Sequence, residues 1–219
     1  MVTEILSTPE GIDGVVLDLE HSCFNMETIY SCIQVARLAG KRCFIRVSHW
    51  WHRNVQSLVD AGADVILSNV ENTSLLRQLT NITFSRRKGG KRGTGLVRNN
   101  TWGEEELIYE DPILVAQIET ELAVERIADL NAGNIGFYMI GQYDLSASLG
   151  CPGKFKDPKF IDVVNKVEEE IGKGRMGVHL VRNCQDIDRY RDYGVVALGM
   201  DTTTLLDRTR EITEWTLPG

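Results

Sequence analysis

The run ILVAQIETELAVERIADL, residues 113–130, holds two patterns in direct succession. Ile113 to Glu119 is an unbroken apolar stretch closed by a carboxylate, as in a strand buried on both faces, and the residues after it turn at once to helical periodicity. A strand that runs straight into a helix is one β/α unit, and the rest of the chain repeats it. The apolar runs are GVVLDLE (14–20), CFIRVS (43–48), DVILSNV (64–70), ILVAQIE (113–119), GFYMIG (136–141), RMGVHLV (175–181) and VVALGM (195–200). Between them NMETIYSCIQVARLAG, NVQSLVDAGA, NTSLLRQL, ELAVERIADLNAG, DPKFIDVVNKVEEEIGKG and CQDIDRYRDYG carry 3.6-residue faces, several closing on glycine as helix C-termini do. Strands covered on both faces and joined by helices build a parallel sheet.

A parallel sheet is either open and doubly wound or closed into a β/α barrel. No GxGxxG follows the first strand. Polar residues instead recur at strand C-termini: Asp18, Glu20 and His21, then Arg46 and Ser48, then Ser68 and Asn69, then Glu119, His179 and Asp201. Chemistry gathered from several strand ends onto one face is the barrel signature. The expectation is a single-domain (β/α)8 TIM barrel over 1–219. Seven strands are visible, and the chain opens on a helix, VTEILSTPEGIDG, so the first strand of a full barrel is missing or atypical. The segment 83–112, TFSRRKGGKRGTGLVRNNTWGEEELIYEDP, is long, glycine-rich and aperiodic, and is read as an active-site loop. Its cluster Arg86, Arg87, Lys88, Lys91 and Arg92 is read as a solvated loop in preference to a phosphate or nucleic-acid site.

Composition narrows the class of function. The 219 residues are 42% hydrophobic and 25% charged, which suits one soluble domain with a sizeable core. A net charge of −7 argues against a nucleic-acid or anionic-membrane surface, since both need a positive field, and points to a small ligand. Five cysteines (Cys23, Cys32, Cys43, Cys151, Cys184) without a CxxC pair suggest neither a disulfide framework nor a zinc site. No apolar run reaches the roughly 18–20 residues of a membrane span, and the first residues lack a signal-peptide pattern, so a cytoplasmic location is expected.

Glu119 raises the chemical question, because a carboxylate closing a buried strand is costly unless its charge is compensated. Asp144 stands 25 residues later, just beyond the next strand, so adjacent parallel strands place both carboxylates on one rim. Two carboxylates with water and a chelating substrate suit Mg²⁺ or Mn²⁺. The plainer alternative pairs Glu119 with a nearby base and lets Asp144 cap the turn into the following helix. His21, in LDLEHS, is a candidate general base, and Arg46 a candidate carboxylate grip. Asp60 sits near a helix C-terminus, where the dipole disfavours it and a partner is expected.

LDLEHS, IRVS…LVDAGADVILSNVEN, KRGTGLVRNN, VAQIETELAVERI and IGQYDLSASLGCPG, in this order, together resemble the HpcH/HpaI aldolase family, the class II pyruvate aldolases related to the citrate lyase β-subunit. The resemblance spans residues 2 to about 210. It implies a metal-dependent β/α barrel, a homo-oligomer (hexamer or trimer), that reversibly joins pyruvate to an aldehyde. On this chain's positions it implies Glu119 and Asp144 as ligands of Mg²⁺, Mn²⁺ or Co²⁺, and His21 as the base with Asp60 charging it. Arg46 would hold the pyruvate carboxylate and polarise its carbonyl, with Gln142, Tyr143, Asp144 and Leu180 also at the substrate. No Schiff-base lysine is needed, and none stands at a strand end. Gln142 replaces the proline of the family's IGPxDLS, Ser68 or Asn69 replaces another, and FSRRKGGKRG lacks the usual double proline. His49, Trp50, Trp51 and His52 line an aldehyde pocket or a subunit interface, the interface being favoured. Two other outcomes stay open: a citrate-synthase-like condensation on the same scaffold, and a barrel without catalysis.

Overall fold

The structure, a computed structural model, describes residues 1–48, 52–104, 110–131, 134–182 and 184–216. His49, Trp50 and Trp51 lie outside the described residues, and His52 enters only as the first position of a helix. All seven anticipated strands are present: β1 Gly14–Asp18, β2 Arg42–Val47, β3 Asp64–Leu67, β4 Leu114–Ile118, β5 Phe137–Ile140, β6 Met176–Leu180 and β7 Val195–Leu198. They pair in chain order, each parallel to the next, in one curled sheet. Among the described residues the expected barrel with a missing first strand is a seven-stranded half-barrel, and they do not complete the eight strands of a full barrel. Among the described residues β1 and β7 are its edges, and no strand joins them.

The helices are α1 Val2–Leu6, α2 Met26–Leu38, α3 His52–Asp60, α4 Thr73–Thr83, α5 Glu121–Glu125, α6 Ile127–Leu130, α7 Gln142–Ser148, α8 Pro158–Ile171 and α9 Asp201–Thr216. Their starts are set by short polar caps. Asn25 accepts from the Thr28 N–H at α2, Asn72 from Leu75 at α4, and Asp157 from Lys159 at α8, where Pro158 opens the first turn. Each buries one stripe: Ile29, Ile33 and Ala36 on α2, Leu76 and Leu79 on α4, Phe160, Val167 and Ile171 on α8. CQDIDRYRDYG departs from expectation. It forms a 3₁₀ segment, Cys184–Tyr190, with no buried residue, because its Asp and Arg side chains supply no continuous apolar face.

Strand alternation divides the interior in two. Val15, Leu17, Cys43, Ile45, Val65, Leu67, Leu114, Ala116 and Tyr138 face the helices and form the main core. Ile66, Val115 and Met139 face inward with Phe44, Phe137, Val195 and Ala197, a smaller apolar floor inside the curl. Beyond that floor, toward the strand C-termini, the inward positions turn polar: Asp18, Arg46, Ser68, Gln117 and Glu119. This change of chemistry along one face makes the site.

The opposite end of the sheet is closed by ions. Arg42 clamps Asp64 through Nε and Nη2 at 2.7 and 2.9 Å, and Asp64 also accepts from the Ile113 N–H at 2.8 Å. Arg37 and Arg42 reach Glu110. Segment 83–112 leaves the end of α4 and enters the start of β4, so its described part lies here, with Ser85 on Asp111 and the wholly buried Arg92 on Asp60. Within this chain it is a floor connection at the far end from Glu119, in place of the active-site loop expected. Among the described residues no helix is long and apolar enough to cross a membrane.

Candidate active site

Glu119 directly follows β4 and is only 5% exposed. Its Oε2 accepts from the Asn69 N–H at 2.6 Å. Asn69 follows β3 at φ 54°, a left-handed conformation that asparagine tolerates better than most residues, and this turn aims its amide at the carboxylate. Burial drives the Glu119 carboxyl up to about 7, and the charges of Glu20 and Asp144 push the same way, against the Asn69 amide and Arg46. Gly141, on β5's exit, leaves the space Glu119 fills: a Cβ there would lie 2.4 Å from Glu119 Cγ and 2.7 Å from Oε1.

Arg46, on β2, is the cation of this rim. Its Nε and Nη2 engage both oxygens of Asp18 at 2.8 and 2.5 Å, and Nη1 lies 3.5 Å from Glu20. The Arg46 guanidinium holds the Asp18 carboxyl below the usual range against the opposing effect of burial, helped by the N–H groups of Glu20 and His21. Glu20 in turn accepts from Ser68 Oγ at 2.8 Å. His21 stands at the mouth, 67% exposed in its side chain, with Nε2 3.9 Å from Glu20. Asp144 occupies the first turn of α7, whose Gln142, Tyr143 and Asp144 N–H groups precede the first helical bond, Leu145 N–H to Gly141. Gln117, two residues before Glu119 on the same face, has a buried Oε1 with no partner, an acceptor that calls for a donor from solvent or ligand.

The structure therefore brings together His21, Arg46, Glu119 and Asp144 at one rim. Asp60 is not with them. It ends α3, which descends to the N-terminal end of the sheet, and pairs there with Arg92 at 2.6 Å, so the His21–Asp60 pairing is not made within one chain. Leu180 also points elsewhere, because on β6 it is His179 that faces inward, where its Nε2–H donates to the Gly199 carbonyl at 2.9 Å. Leu180 lines a cavity of about 480 Å³ on the helix side of β5 and β6, together with Gln142, Tyr143, Phe155, Phe160 and Tyr193. Asp18, Glu20, Ser68 and Gln117 were given no role from sequence; the alternation of LDLE and QIE would have placed three of them facing inward.

The rim sets four carboxylates, Asp18, Glu20, Glu119 and Asp144, around one guanidinium. That excess of negative charge, with Glu119 driven up, fits a divalent cation. Among the described residues no three His, Cys, Asp or Glu side chains converge as a closed protein cage, so Glu119 and Asp144 would leave coordination positions for water and ligand.

A family model for HpcH/HpaI aldolase/citrate lyase matches residues 2–207. The 4-hydroxy-2-oxo-heptane-1,7-dioate aldolase of Shigella flexneri is 28% identical over 215 residues, covering 92% of this chain and 79% of that protein. The HpcH/HpaI aldolase structure from Desulfitobacterium hafniense DCB-2 superposes with a TM-score of 0.87 at 22% identity, covering 100% of this chain and 89% of that one. The citrate synthase SbnG gives 0.83 at 22%, covering 98% and 87%. Both structures share the fold, and the match over nearly the whole sequence settles the lineage: the chain belongs to the HpcH/HpaI aldolase/citrate lyase family.

Proposed function

We propose that the chain is a divalent-metal-dependent aldolase that reversibly cleaves a 4-hydroxy-2-oxo acid to pyruvate and an aldehyde. The observation that carries this reading is Glu119: a buried carboxylate, crowded by Glu20 and Asp144, facing Arg46 across one rim. A divalent ion held by Glu119 and Asp144 would supply Lewis-acid polarisation of the 2-oxo group. The protein's own groups do the rest. Arg46 and the first-turn N–H groups of α7 receive the substrate carboxylate and the charge growing on the keto oxygen. His21 takes the proton of the 4-hydroxyl as the C3–C4 bond breaks; the bonding pair moves to C3, the aldehyde leaves, and a proton delivered to C3 completes the methyl of pyruvate. Gln117 Oε1, buried without a partner among the described residues, adds an acceptor on the same inward face as Glu119.

Pyruvate alone tests the proton transfer, without knowledge of the aldehyde. In D₂O with Mg²⁺ or Mn²⁺, the methyl signal of pyruvate should disappear at an enzyme-dependent rate, and chelation with EDTA should stop it. No exchange above the free-metal background would remove the aldolase reading. Consumption of oxaloacetate that depends on an added acyl-CoA and releases its thiol, without methyl exchange of pyruvate, would replace it by the condensing reaction.

The same reading includes self-association through α9. This helix stands almost free of the body, tied near its middle by Arg182 to Asp207 at 2.9 Å. It leaves Leu205 70% and Trp215 69% exposed with Leu206 and Ile212, and Arg208 lies over the Trp215 ring. A lone helix of this length is marginal in water unless its apolar stripe is covered, and a second copy carries both the stripe and the uncovered cavity on β5 and β6. Sedimentation equilibrium should give a multiple of 24.6 kDa, and the double variant Leu205→Asp, Ile212→Asp should give 24.6 kDa itself. A monomeric wild type, or an unaltered mass in the variant, would discard α9 as the contact.

A further inference from the structure

We infer that Ser68 and Glu20 act together as positioning residues that fix the Arg46 guanidinium for the substrate. The inference rests on the proposed function in taking Arg46 as the group that receives the 2-oxo acid.

Asp18 by itself does not immobilise Arg46. It grips one edge of the guanidinium, but Asp18 is partly open to solvent and sits on β1, an edge strand supported by β2 alone. It leaves Nη1 unheld. Glu20 supplies the second point of attachment, with Oε2 3.5 Å from Nη1 on the third nitrogen. Glu20 belongs to the same edge segment, so it fixes Arg46 only if something on another strand fixes Glu20. Ser68 does so from the exit of β3, an interior strand.

The direction of that hydrogen bond follows from its neighbours. Ser68 Oγ lies 2.8 Å from Glu20 Oε1 and 3.2 Å from the Val47 carbonyl, and has one proton for the two. The Val47 carbonyl already accepts from the Ser68 N–H at 3.0 Å. The carboxylate is the stronger acceptor and the nearer one, so the proton goes to Glu20. Ser68 is 1% exposed, so water does not compete for its hydroxyl. The result is a strap from β3 over β2 to β1, with Arg46 beneath it. Glu20 Oε2 is also 3.9 Å from His21 Nε2, so the same strap sets the base beside the cation.

The test follows Ser68→Ala with Ser68→Thr as the conservative variant, using two readouts. The first is the ¹⁵N–¹H signal of Arg46 Nη1, assigned with Arg46→Lys, whose proton shift and exchange with water report the contact with Glu20. The second is methyl exchange of pyruvate in D₂O with Mg²⁺. Ser68→Ala should shift the Nη1 signal, speed its exchange with water, and slow pyruvate exchange at saturating pyruvate by about tenfold, the scale of one hydrogen bond to a charged group, while Mn²⁺ affinity stays at the wild-type value. Ser68→Thr should restore both. An unchanged Nη1 signal in Ser68→Ala would overturn the inference, as would a released Nη1 with wild-type pyruvate exchange. A wild type that exchanges no pyruvate would count against the aldolase reading and against any use of Arg46 at that substrate, while the guanidinium signal would still report whether the strap exists.

Discussion

Glu119→Gln should remove high-affinity divalent-ion binding and, at the same time, make the metal-free protein more stable above neutral pH. Both effects come from one carboxyl group raised from 4.5 to about 7. Between those values the folded protein binds more protons at Glu119 than the unfolded chain does, so this group's contribution to stability falls as pH rises and is at its most unfavourable above 7. The difference amounts to about 3 kcal/mol at most. The amide has no such titration and keeps an oxygen for the Asn69 N–H. At pH 8 and without metal, Glu119→Gln should therefore melt about 5–10 °C higher than wild type, and at pH 4 the two should coincide. Mn²⁺ titrations should show the reverse ordering. The loss should exceed the roughly 10–100-fold typical of outer-shell partners, and wild-type affinity should rise about tenfold per pH unit up to 7 and then level off, as one proton is displaced. Equal melting at pH 8, together with retained Mn²⁺ binding, would show that Glu119 is an ordinary buried acid.

Gly141→Ala should be nearly as damaging, although it adds one methyl group. At φ −82° an alanine meets no backbone strain, so the whole cost falls on the contact with Glu119 at 2.4 Å from Cγ. Either the side chain swings away and gives up its 2.6 Å bond to Asn69, or the turn between β5 and α7 shifts and carries Asp144 with it. Each route separates the two carboxylates. A loss of about 1–3 kcal/mol is expected from overpacking, with Mn²⁺ affinity falling about 100-fold. The contact can be isolated by a double-mutant cycle. In a Glu119→Ala background the added methyl should cost little, and the coupling should recover most of the single-variant loss. Additive effects would show that Gly141 is required for some other reason.

The β/α order was legible because buried strands read as unbroken apolar runs, and GVVLD, VILS and LVAQI each fell where expected. Glu119 was legible for the opposite reason, as a charge where the pattern asks for none. What escaped was direction. Segment 83–112 has the glycines and basic residues of a functional loop, yet it connects a helix to a strand, and in a parallel sheet such connections land at the strand N-termini. The same rule carries Asp60 to the far end of α3: fourteen residues after Arg46 in sequence, it is a sheet's length away from the rim. Leu180 failed on parity, one residue from the inward-facing His179. Ser68 and Glu20 were visible as polar strand ends, but which polar groups meet depends on the register of β1 with β2 and β2 with β3, and that is a property of the assembled sheet.

The half-barrel also divides the rim by how tightly its parts are held. Glu119 rises from β4, which has a paired strand on each side, and Asp144 follows β5, which is flanked in the same way. Asp18, Glu20 and His21 hang from β1, which among the described residues is paired on one side only. Amide exchange should therefore grade across the site, slow at Ala116 and Ile118 and faster at Val15 and Leu17, with local openings that release the carboxylates of β1 while Glu119 and Asp144 stay in place. Such a chain would hold a cation on a rigid shelf and move its proton-handling groups on a looser one, so substrate entry and product release need no unfolding of the shelf.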